Sequence, residues 1–166
     1  MNRAIIIIAV LLAIFLSGFC SGFPGQTGQT AQYEKVTRTK RNLWQFGLMI
    51  HCETNRWASD YLGYGCWCGR GGKGIPIDDT DKCCKKHDKC YYDVHRSGKC
   101  SYMGAAYTTI YTRKGCSDCD KQQNNACEQA VCECDSVAVK CFAKAKFDDA
   151  NKRYSQSKCV DLAIAD

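Results

Sequence analysis

The chain has 166 residues, of which 45% are hydrophobic and 24% charged, and its formal net charge is +6. Residues 1–41 hold five of the 23 basic and one of the 17 acidic residues, so the remainder carries 18 basic and 16 acidic residues, a net charge of +2. So small a charge argues against nucleic-acid binding, while it permits contact with an anionic lipid surface.

An apolar segment near the start of the chain is the first predicted element. Arg3 precedes an apolar run over residues 4–16, and small residues follow at Ser17, Gly18, Ser21 and Gly22. The run has the length of a signal-peptide core and is short for a membrane span. A buried helix is disfavoured, because the isoleucines at 5–8 leave no polar face. We therefore expect a signal peptide over residues 1–22 and a secreted, extracellular protein.

A propeptide is predicted over residues 23–41. Residues 25–32 are polar and contain glycine, so they lack the apolar side chains that a fold requires. They lead to Arg38-Thr39-Lys40-Arg41, a basic site of the type that secretory convertases cut. A charge run is usually only solvated surface, but this one separates a structureless stretch from a predicted helix. Cleavage after Arg41 would leave a single domain over residues 42–166.

The processed chain is predicted to begin with an amphipathic helix over residues 42–54. Its apolar residues recur at the spacing of one helical face: Leu43, Phe46, Met49 and Ile50. An ordinary core-facing helix has the same pattern. Trp44 and the newly cut terminus favour an additional role for this helix.

A glycine-rich loop is predicted over residues 63–74. Six of its twelve residues are glycine, which disfavours both helix and strand. Such loops bind phosphate through backbone N–H groups, or a hard cation through backbone carbonyls. The stretch contains neither a G-K-[ST] nor a G-x-G-x-x-G motif, and both uses stay open at this point.

Two long helices with a strand between them are predicted next. The first helix covers about residues 81–97, and the second covers about residues 120–143 with an irregularity near Asn124-Asn125. Residues 107–112 are β-branched and aromatic, which predicts a strand with a short partner.

The cysteines predict a disulfide framework. Of the fifteen, Cys20 lies in the predicted signal peptide, which leaves an even fourteen. In an oxidising compartment such a set indicates disulfides and disfavours zinc at the C-x-x-C pair Cys116 and Cys119.

The two predicted helices carry cysteines at matching spacing. Cys83 and Cys90 are two turns apart, as are Cys134 and Cys141, so each pair lies on one face about 10.5 Å apart. Two antiparallel helices could be joined at two levels in this way, although the spacing alone does not fix the pairing.

His87 is the central catalytic candidate. It lies between the two cysteine levels, and Asp135 on the other helix could reach its ring and fix its tautomer. Asp88 points about 100° away from His87, and Tyr91 follows one turn later. A lone histidine is often only a partly exposed side chain in a charged segment, but these neighbours and the glycine-rich loop favour a site.

Three stretches together form a specific pattern. They are residues 64–72, the stretch from Asp78 to Tyr91 that contains Cys83-Cys84-x-x-His87-Asp88-x-Cys90, and Cys132-x-Cys134-Asp135. The pattern resembles the secreted phospholipase A2 family, in its pancreatic and elapid-like (group I) form with venom-type members, over residues 42–159. The resemblance implies a mainly α, disulfide-rich fold with an N-terminal helix, a glycine-rich calcium loop, two long antiparallel disulfide-linked helices and a small two-stranded β-wing.

The resemblance also implies a disulfide pairing that uses all fourteen cysteines. The implied pairs are Cys52–Cys116, Cys66–Cys159, Cys68–Cys84, Cys83–Cys141, Cys90–Cys134, Cys100–Cys127 and Cys119–Cys132. Each bond could contribute roughly 2–4 kcal/mol to stability.

The activity implied by the resemblance is calcium-dependent hydrolysis of the sn-2 ester of phosphoglycerides at membrane interfaces, which releases a fatty acid and a lysophospholipid. The implied Ca²⁺ ligands are the carboxylate of Asp88 and the backbone carbonyls of Trp67, Gly69 and Gly71. His87 is the implied general base that activates a water molecule. The implied supporting groups are Asp135, which orients His87, the Gly69 N–H at the oxyanion, and Tyr91 and Tyr111 on Asp135.

The N-terminal helix gains a place in the acyl-chain channel and at the membrane surface from the same resemblance. The implied channel and interface residues are Leu43, Trp44, Phe46, Ile50 and, toward the lipid phosphate, Tyr107. Plain core packing is the alternative for the helix residues. The implied partners are a phospholipid membrane surface and a phosphoglyceride substrate, with no nucleic acid and no receptor identified.

A non-catalytic binding protein or toxin on the same scaffold is the alternative function. Relatives of that kind can lose the aspartate at the calcium site, whereas His87, Asp88 and Asp135 are all present here. A small disulfide-rich protease inhibitor would leave the glycine-rich loop and His87 unexplained.

Overall fold

Residues 43–160 are described by the structure, which is a computed structural model. The predicted signal peptide, propeptide and cleavage sites lie outside the described residues. The helices are α1 (residues 43–54), α2 (Ala58–Tyr61), α3 (Asp79–Arg96) and α4 (Ala126–Lys144). Short 3-10 turns cover Ala105–Tyr107, Asp149–Asn151 and Gln156–Lys158. With its small sheet and its disulfides, this architecture confirms the predicted fold class.

Helix α3 begins two residues earlier than predicted. The side chain of Asp78 caps the helix by accepting a hydrogen bond of 2.8 Å from the backbone N–H of Asp81. The helix is further stabilised by acidic residues in its first turn and by His95 and Arg96 in its last turn, because these interact favourably with the helix dipole. The helix ends at Arg96, before Ser97 and Gly98, close to the predicted stop.

Helix α4 begins at Ala126, whereas the sequence predicted a start near residue 120. Asn125 forms a capping box with Glu128, because its side chain accepts from the Glu128 N–H while the Glu128 carboxylate accepts from the Asn125 N–H. The preceding residues form a turn in which the N–H groups of Gln123 and Asn124 bond the carbonyl of Asp120. The predicted irregularity at Asn124-Asn125 is therefore the start of the helix.

The strand predicted over residues 107–112 is wrong in position. The two strands are β1 (Arg113–Lys114) and β2 (Asp118–Cys119), and they pair antiparallel with Arg113 opposite Cys119. Thr112 lies just outside the sheet: its carbonyl accepts from the backbone N–H of Asp120, and the side chain of Asn124 bonds both its N–H and its carbonyl. Tyr107 lies in a 3-10 turn instead of a strand.

Seven disulfide bonds join the described elements, and they are the pairs that the resemblance implies. They are Cys52–Cys116, Cys66–Cys159, Cys68–Cys84, Cys83–Cys141, Cys90–Cys134, Cys100–Cys127 and Cys119–Cys132. Two of them link α3 to α4 at successive levels in antiparallel order. The facing surfaces of the two helices are thereby held in register.

The core lies between α1, α3 and α4. Its fully buried side chains include Met49 of α1, Tyr64 of the glycine-rich loop, and Val131 and Val139 of α4. Among the described residues, none of the helices has the length and apolar character that crossing a membrane requires.

Candidate active site

The centre of the site is a hydrogen bond between helices α3 and α4. Nε2 of His87 lies 2.7 Å from Oδ1 of Asp135. Asp135 is fully buried, and the His87 side chain is 11% exposed. Because a carboxylate can only accept, this contact places the imidazole proton on Nε2 and leaves a lone pair on Nδ1. Nδ1 takes part in no hydrogen bond with the described residues.

Two tyrosines complete the hydrogen bonding of Asp135. The hydroxyl of Tyr91 donates to Oδ1 at 2.6 Å, and that of Tyr111 donates to Oδ2 at 2.5 Å. Burial, together with the negative charge of Asp135, raises the pKa of each tyrosine well above the usual range for a tyrosine. Both hydroxyls therefore stay protonated and act as permanent donors to the carboxylate.

Aromatic rings fix the plane of the His87 imidazole. The ring of Phe46 stacks on it with centroids 4.5 Å apart and an interplanar angle of 16°. The ring of Tyr91 packs at 4.3 Å from the imidazole. Helix α1 thus reaches the site through Phe46, one of the residues that the resemblance assigned to the channel.

Asp88 lies beside this pair on another face of α3. Burial raises the pKa of its carboxyl to about 6, which the neighbouring His87 partly opposes. Burial also raises the pKa of Tyr107, and the Asp88 charge adds to that effect. Tyr107 packs edge-on against Tyr91 at 5.2 Å and remains half-exposed. A buried carboxylate with so little compensating charge has the electrostatics of a cation ligand.

The glycine-rich loop is organised by Asp81, a residue whose role the sequence reasoning missed. Its fully buried carboxylate accepts the backbone N–H groups of Cys66 (2.8 Å), Trp67 (2.7 Å) and Ile77 (3.0 Å). Gly65 has φ +57°, and a Cβ there would lie 2.4 Å from Cγ of Asp81. In the sequence, Asp81 is recognisable only as an aspartate near the start of a predicted helix. That position does not reveal that its carboxylate accepts three backbone N–H groups from the loop.

The loop carbonyls fit a calcium ion by the chemistry of the donor set. The carbonyls of Cys66 and Cys68 accept backbone hydrogen bonds from Lys73 and Gly63, whereas those of Trp67, Gly69 and Gly71 accept none from any described residue. Calcium prefers such a set of carbonyl and carboxylate oxygens. Within residues 43–160, no group of three or more His, Cys, Asp or Glu side chains is arranged to hold a metal, so a site here depends on backbone oxygens.

The other α1 residues in the prediction lie in different environments. Leu43 and Trp44 are exposed, at 53% and 63%, whereas Ile50 is buried in the core. Trp44 and Leu43 therefore present apolar surface to the surroundings, and Ile50 packs inside.

Known proteins are similar to this chain in sequence over the range that contains the site. A family model described as Phospholipase A2 matches residues 43–154. A protein of Calliactis polypus named phospholipase A2 is 52% identical over 119 residues, which cover 72% of each chain. A protein of Naja melanoleuca named basic phospholipase A2 1 is 44% identical over 112 residues, which cover 66% of this chain and 92% of that protein. The matched range contains both the glycine-rich loop and the His87–Asp135 pair, and the chain belongs to the phospholipase A2 family.

Proposed function

We propose that the protein is a secreted, calcium-dependent phospholipase A2 that hydrolyses the sn-2 ester of phosphoglycerides at membrane surfaces. Membership of the family supports phospholipase A2 activity. The observation that carries the finer proposal is the hydrogen bond between His87 and Asp135, which leaves Nδ1 of His87 available as a base beside Asp88. The products are a fatty acid and a lysophospholipid.

His87 and Asp135 act together in the proposed proton transfers. Nδ1 of His87 takes a proton from a water molecule whose oxygen attacks the ester carbonyl carbon. Asp135 stabilises the resulting imidazolium through its bond to Nε2. When the tetrahedral intermediate collapses, the bond to the glycerol oxygen breaks and His87 returns the proton to that oxygen. The hydroxyl of the water ends on the acyl carbon as part of the fatty acid, and its other hydrogen ends on the glycerol oxygen of the lysophospholipid.

Asp88 and the carbonyls of Trp67, Gly69 and Gly71 are the proposed ligands of calcium. When bound, calcium supplies positive charge to the ester carbonyl and to the oxyanion that forms from it. The backbone N–H of Gly69 is the proposed second donor to that oxyanion. Asp81 supports both functions indirectly, because it holds the loop that carries these groups.

Membrane contact is proposed through the start of α1. Leu43 and Trp44 are exposed, and a tryptophan is well suited to the boundary between water and lipid. Phe46 extends from the same helix to the His87 ring and would line the route of the acyl chain. Secretion itself follows from the signal peptide and propeptide proposed for residues 1–22 and 23–41, which leave the domain over residues 42–166.

The test is hydrolysis of mixed phosphatidylcholine and anionic lipid vesicles by the secreted protein, with calcium and with a chelator, beside His87→Gln. We expect fatty acid and lysophospholipid only with calcium, and almost none from the variant. His51→Gln is the matched control, because His51 stacks on Trp57 at 4.0 Å in a separate contact. No release on several lipids by correctly oxidised protein would instead favour the non-catalytic binding protein.

A further inference from the structure

The last ten described residues, 151–160, contact the glycine-rich loop, and we call them the C-terminal strap. Near the first end of the loop, the N–H of Gly65 donates to the carbonyl of Asn151 at 3.0 Å. In the opposite direction, the N–H of Tyr154 donates to the carbonyl of Gly63 at 2.9 Å. Two backbone hydrogen bonds therefore join the strap to the loop where the loop begins.

The strap also holds the far end of the loop. The N–H of Ile75 donates to the carbonyl of Val160 at 3.2 Å. Gly74 has φ +76°, and a Cβ there would lie 2.9 Å from the carbonyl oxygen of Val160, so this close approach requires glycine. The disulfide between Cys66 and Cys159 adds a covalent link. The strap thus holds the loop on both sides of the carbonyls that are proposed as calcium ligands.

One side chain of the strap bonds the loop directly. Nε2 of Gln156 donates to the carbonyl of Gly65 at 3.0 Å. Because the N–H of Gly65 is bonded to Asn151, both backbone polar groups of this glycine have partners in the strap. Gly65 also packs against Asp81 so closely that a Cβ would not fit. The strap and Asp81 therefore hold the same glycine, two residues before Trp67.

The strap has anchors of its own outside the loop. The side chain of Asn151 donates to Oδ2 of Asp78, the residue that caps helix α3, at 2.8 Å. Lys152 forms ion pairs of 2.9 Å with Asp60 in α2 and of 2.8 Å with Asp149. These contacts fix the position of the strap relative to α2 and α3. The strap can therefore impose a conformation on the loop.

We propose that Gln156 is a positioning residue for the calcium site, and that the C-terminal strap keeps the glycine-rich loop in the conformation that binds calcium. The proposal rests on the calcium site proposed above. The apparent dissociation constant for calcium is the intrinsic constant divided by the fraction of molecules in the binding conformation. Each bond between the strap and the loop raises that fraction, so the bond from Gln156 raises the affinity for calcium.

The direct test is calcium titration by calorimetry. Gln156→Met removes the N–H donor and keeps a side chain of similar length. We expect the dissociation constant for calcium to rise roughly two- to twelvefold, the range that one net hydrogen bond supports. Gln123→Met is the matched control, because Gln123 is exposed and its side chain forms no hydrogen bond with residues 43–160. An unchanged constant in Gln156→Met, or an equal rise in the control, would overturn the proposal.

Hydrogen exchange separates positioning of the loop from general stability. Without calcium, Gln156→Met should speed exchange of the Gly65 N–H, which bonds the strap. The N–H groups of Val131 and Val139, buried in α4, should exchange as in the parent protein, because they report opening of the core. Equally faster exchange at all three amides would show a general loss of stability and would exclude a positioning role.

Calcium should also act on the strap, because coupling between two sites is reciprocal. In the parent protein, calcium is expected to slow exchange of the Tyr154 N–H, which donates to Gly63. In Gln156→Met this slowing should persist at saturating calcium and require a higher calcium concentration. If calcium binds and leaves exchange of the Tyr154 N–H unchanged, the strap is not coupled to the site.

The titration of the parent protein distinguishes failure of this proposal from failure of the proposed function. Absence of calcium binding by the parent protein would overturn the calcium site itself, and the positioning role with it. Calcium binding that Gln156→Met does not weaken would overturn the positioning role alone and leave the proposed enzyme in place.

Discussion

Tyr111 donates its hydroxyl hydrogen to Oδ2 of Asp135 at 2.5 Å, on the carboxylate oxygen that His87 does not use. The two residues therefore divide the buried carboxylate between them. His87 shares Oδ1 with Tyr91, whereas Tyr111 is the partner of Oδ2 in the described part of the chain. Each oxygen of the Asp135 carboxylate thus has its own hydrogen-bond donors.

Tyr111→Phe is expected to lower stability more than catalysis. The substitution leaves Oδ2 without its donor in a buried place, which should cost about 1.5–3 kcal/mol, the range for hydrogen bonds to charged groups. The bond on Oδ1 survives, so kcat should stay within roughly tenfold of the parent value. Guanidinium unfolding and vesicle hydrolysis measure the two effects. Tyr154→Phe is the control, and a loss of kcat far beyond tenfold with unchanged stability would assign Tyr111 a direct catalytic role.

Asp135→Asn is expected to abolish most activity while the chain still folds. The amide has only one accepting oxygen, so one of the present donors is left unmatched, and it lacks the negative charge that stabilises the imidazolium form of His87. Loss of general-base catalysis corresponds to roughly 10²–10⁴ in kcat. The double variant with His87→Gln should be little worse than either single variant, because the two residues act as one unit. Additive losses in that cycle would show that they act separately.

Calcium binding should weaken as the pH falls through about 6. The pKa of Asp88 is raised to about 6 by burial, whereas an aspartate in an unfolded chain has a pKa of about 3.9. Without calcium, the folded chain holds the extra proton between these values, so this group's contribution to stability falls as the pH rises from about 4 to about 6. Calcium needs the ionised carboxylate, so its apparent affinity should be roughly tenfold lower at pH 5 than at pH 7.

Calcium titrations followed by the melting temperature at several pH values test this expectation. Asp88→Asn should remove the calcium-induced rise in melting temperature at every pH. A calcium affinity that does not change between pH 5 and pH 7 would contradict the role of Asp88 as a ligand with a raised pKa.

Asp81→Asn should disrupt the glycine-rich loop although Asp81 lies nearly two helical turns before His87. An amide nitrogen would meet one of the three N–H donors that the carboxylate now accepts. Loss of a charged acceptor for buried donors should cost about 3 kcal/mol or more. Calcium affinity should fall with stability, because the loop carries the proposed carbonyl ligands. Asp79→Asn is the matched control, since Asp79 is exposed and its carboxylate bonds Lys82, one turn later on the same helix, and no other side chain among residues 43–160. If both substitutions lower stability and calcium affinity equally, Asp81 does not organise the glycine-rich loop.

The sequence carried enough information to predict the helices and the pair at their interface. Cysteines two turns apart on two helices, with His87 and Asp135 between them, are compatible with helices joined at two levels, and the family resemblance supplied the pairing that the spacing left open. The contacts of Asp81 were not predictable in the same way, because they join a helix to loop backbone fifteen residues earlier and no periodicity reports such a contact. The predicted strand failed for a related reason. Residues 107–112 have β propensity, but the N–H of Thr109 bonds the carbonyl of Ala105 in a turn, and the N–H of Thr112 bonds the side chain of Asn124.

The two disulfides between α3 and α4 would make the proposed catalytic pair dependent on redox state. His87 and Asp135 sit on separate helices, and Cys83–Cys141 and Cys90–Cys134 hold those helices together on either side of the pair. Reduced thiols prevail in the cytosol, and disulfides form along the export route. We therefore expect a newly made chain to gain its working geometry only after it has left the compartment where the proposed phospholipase activity on membranes would injure the producing cell.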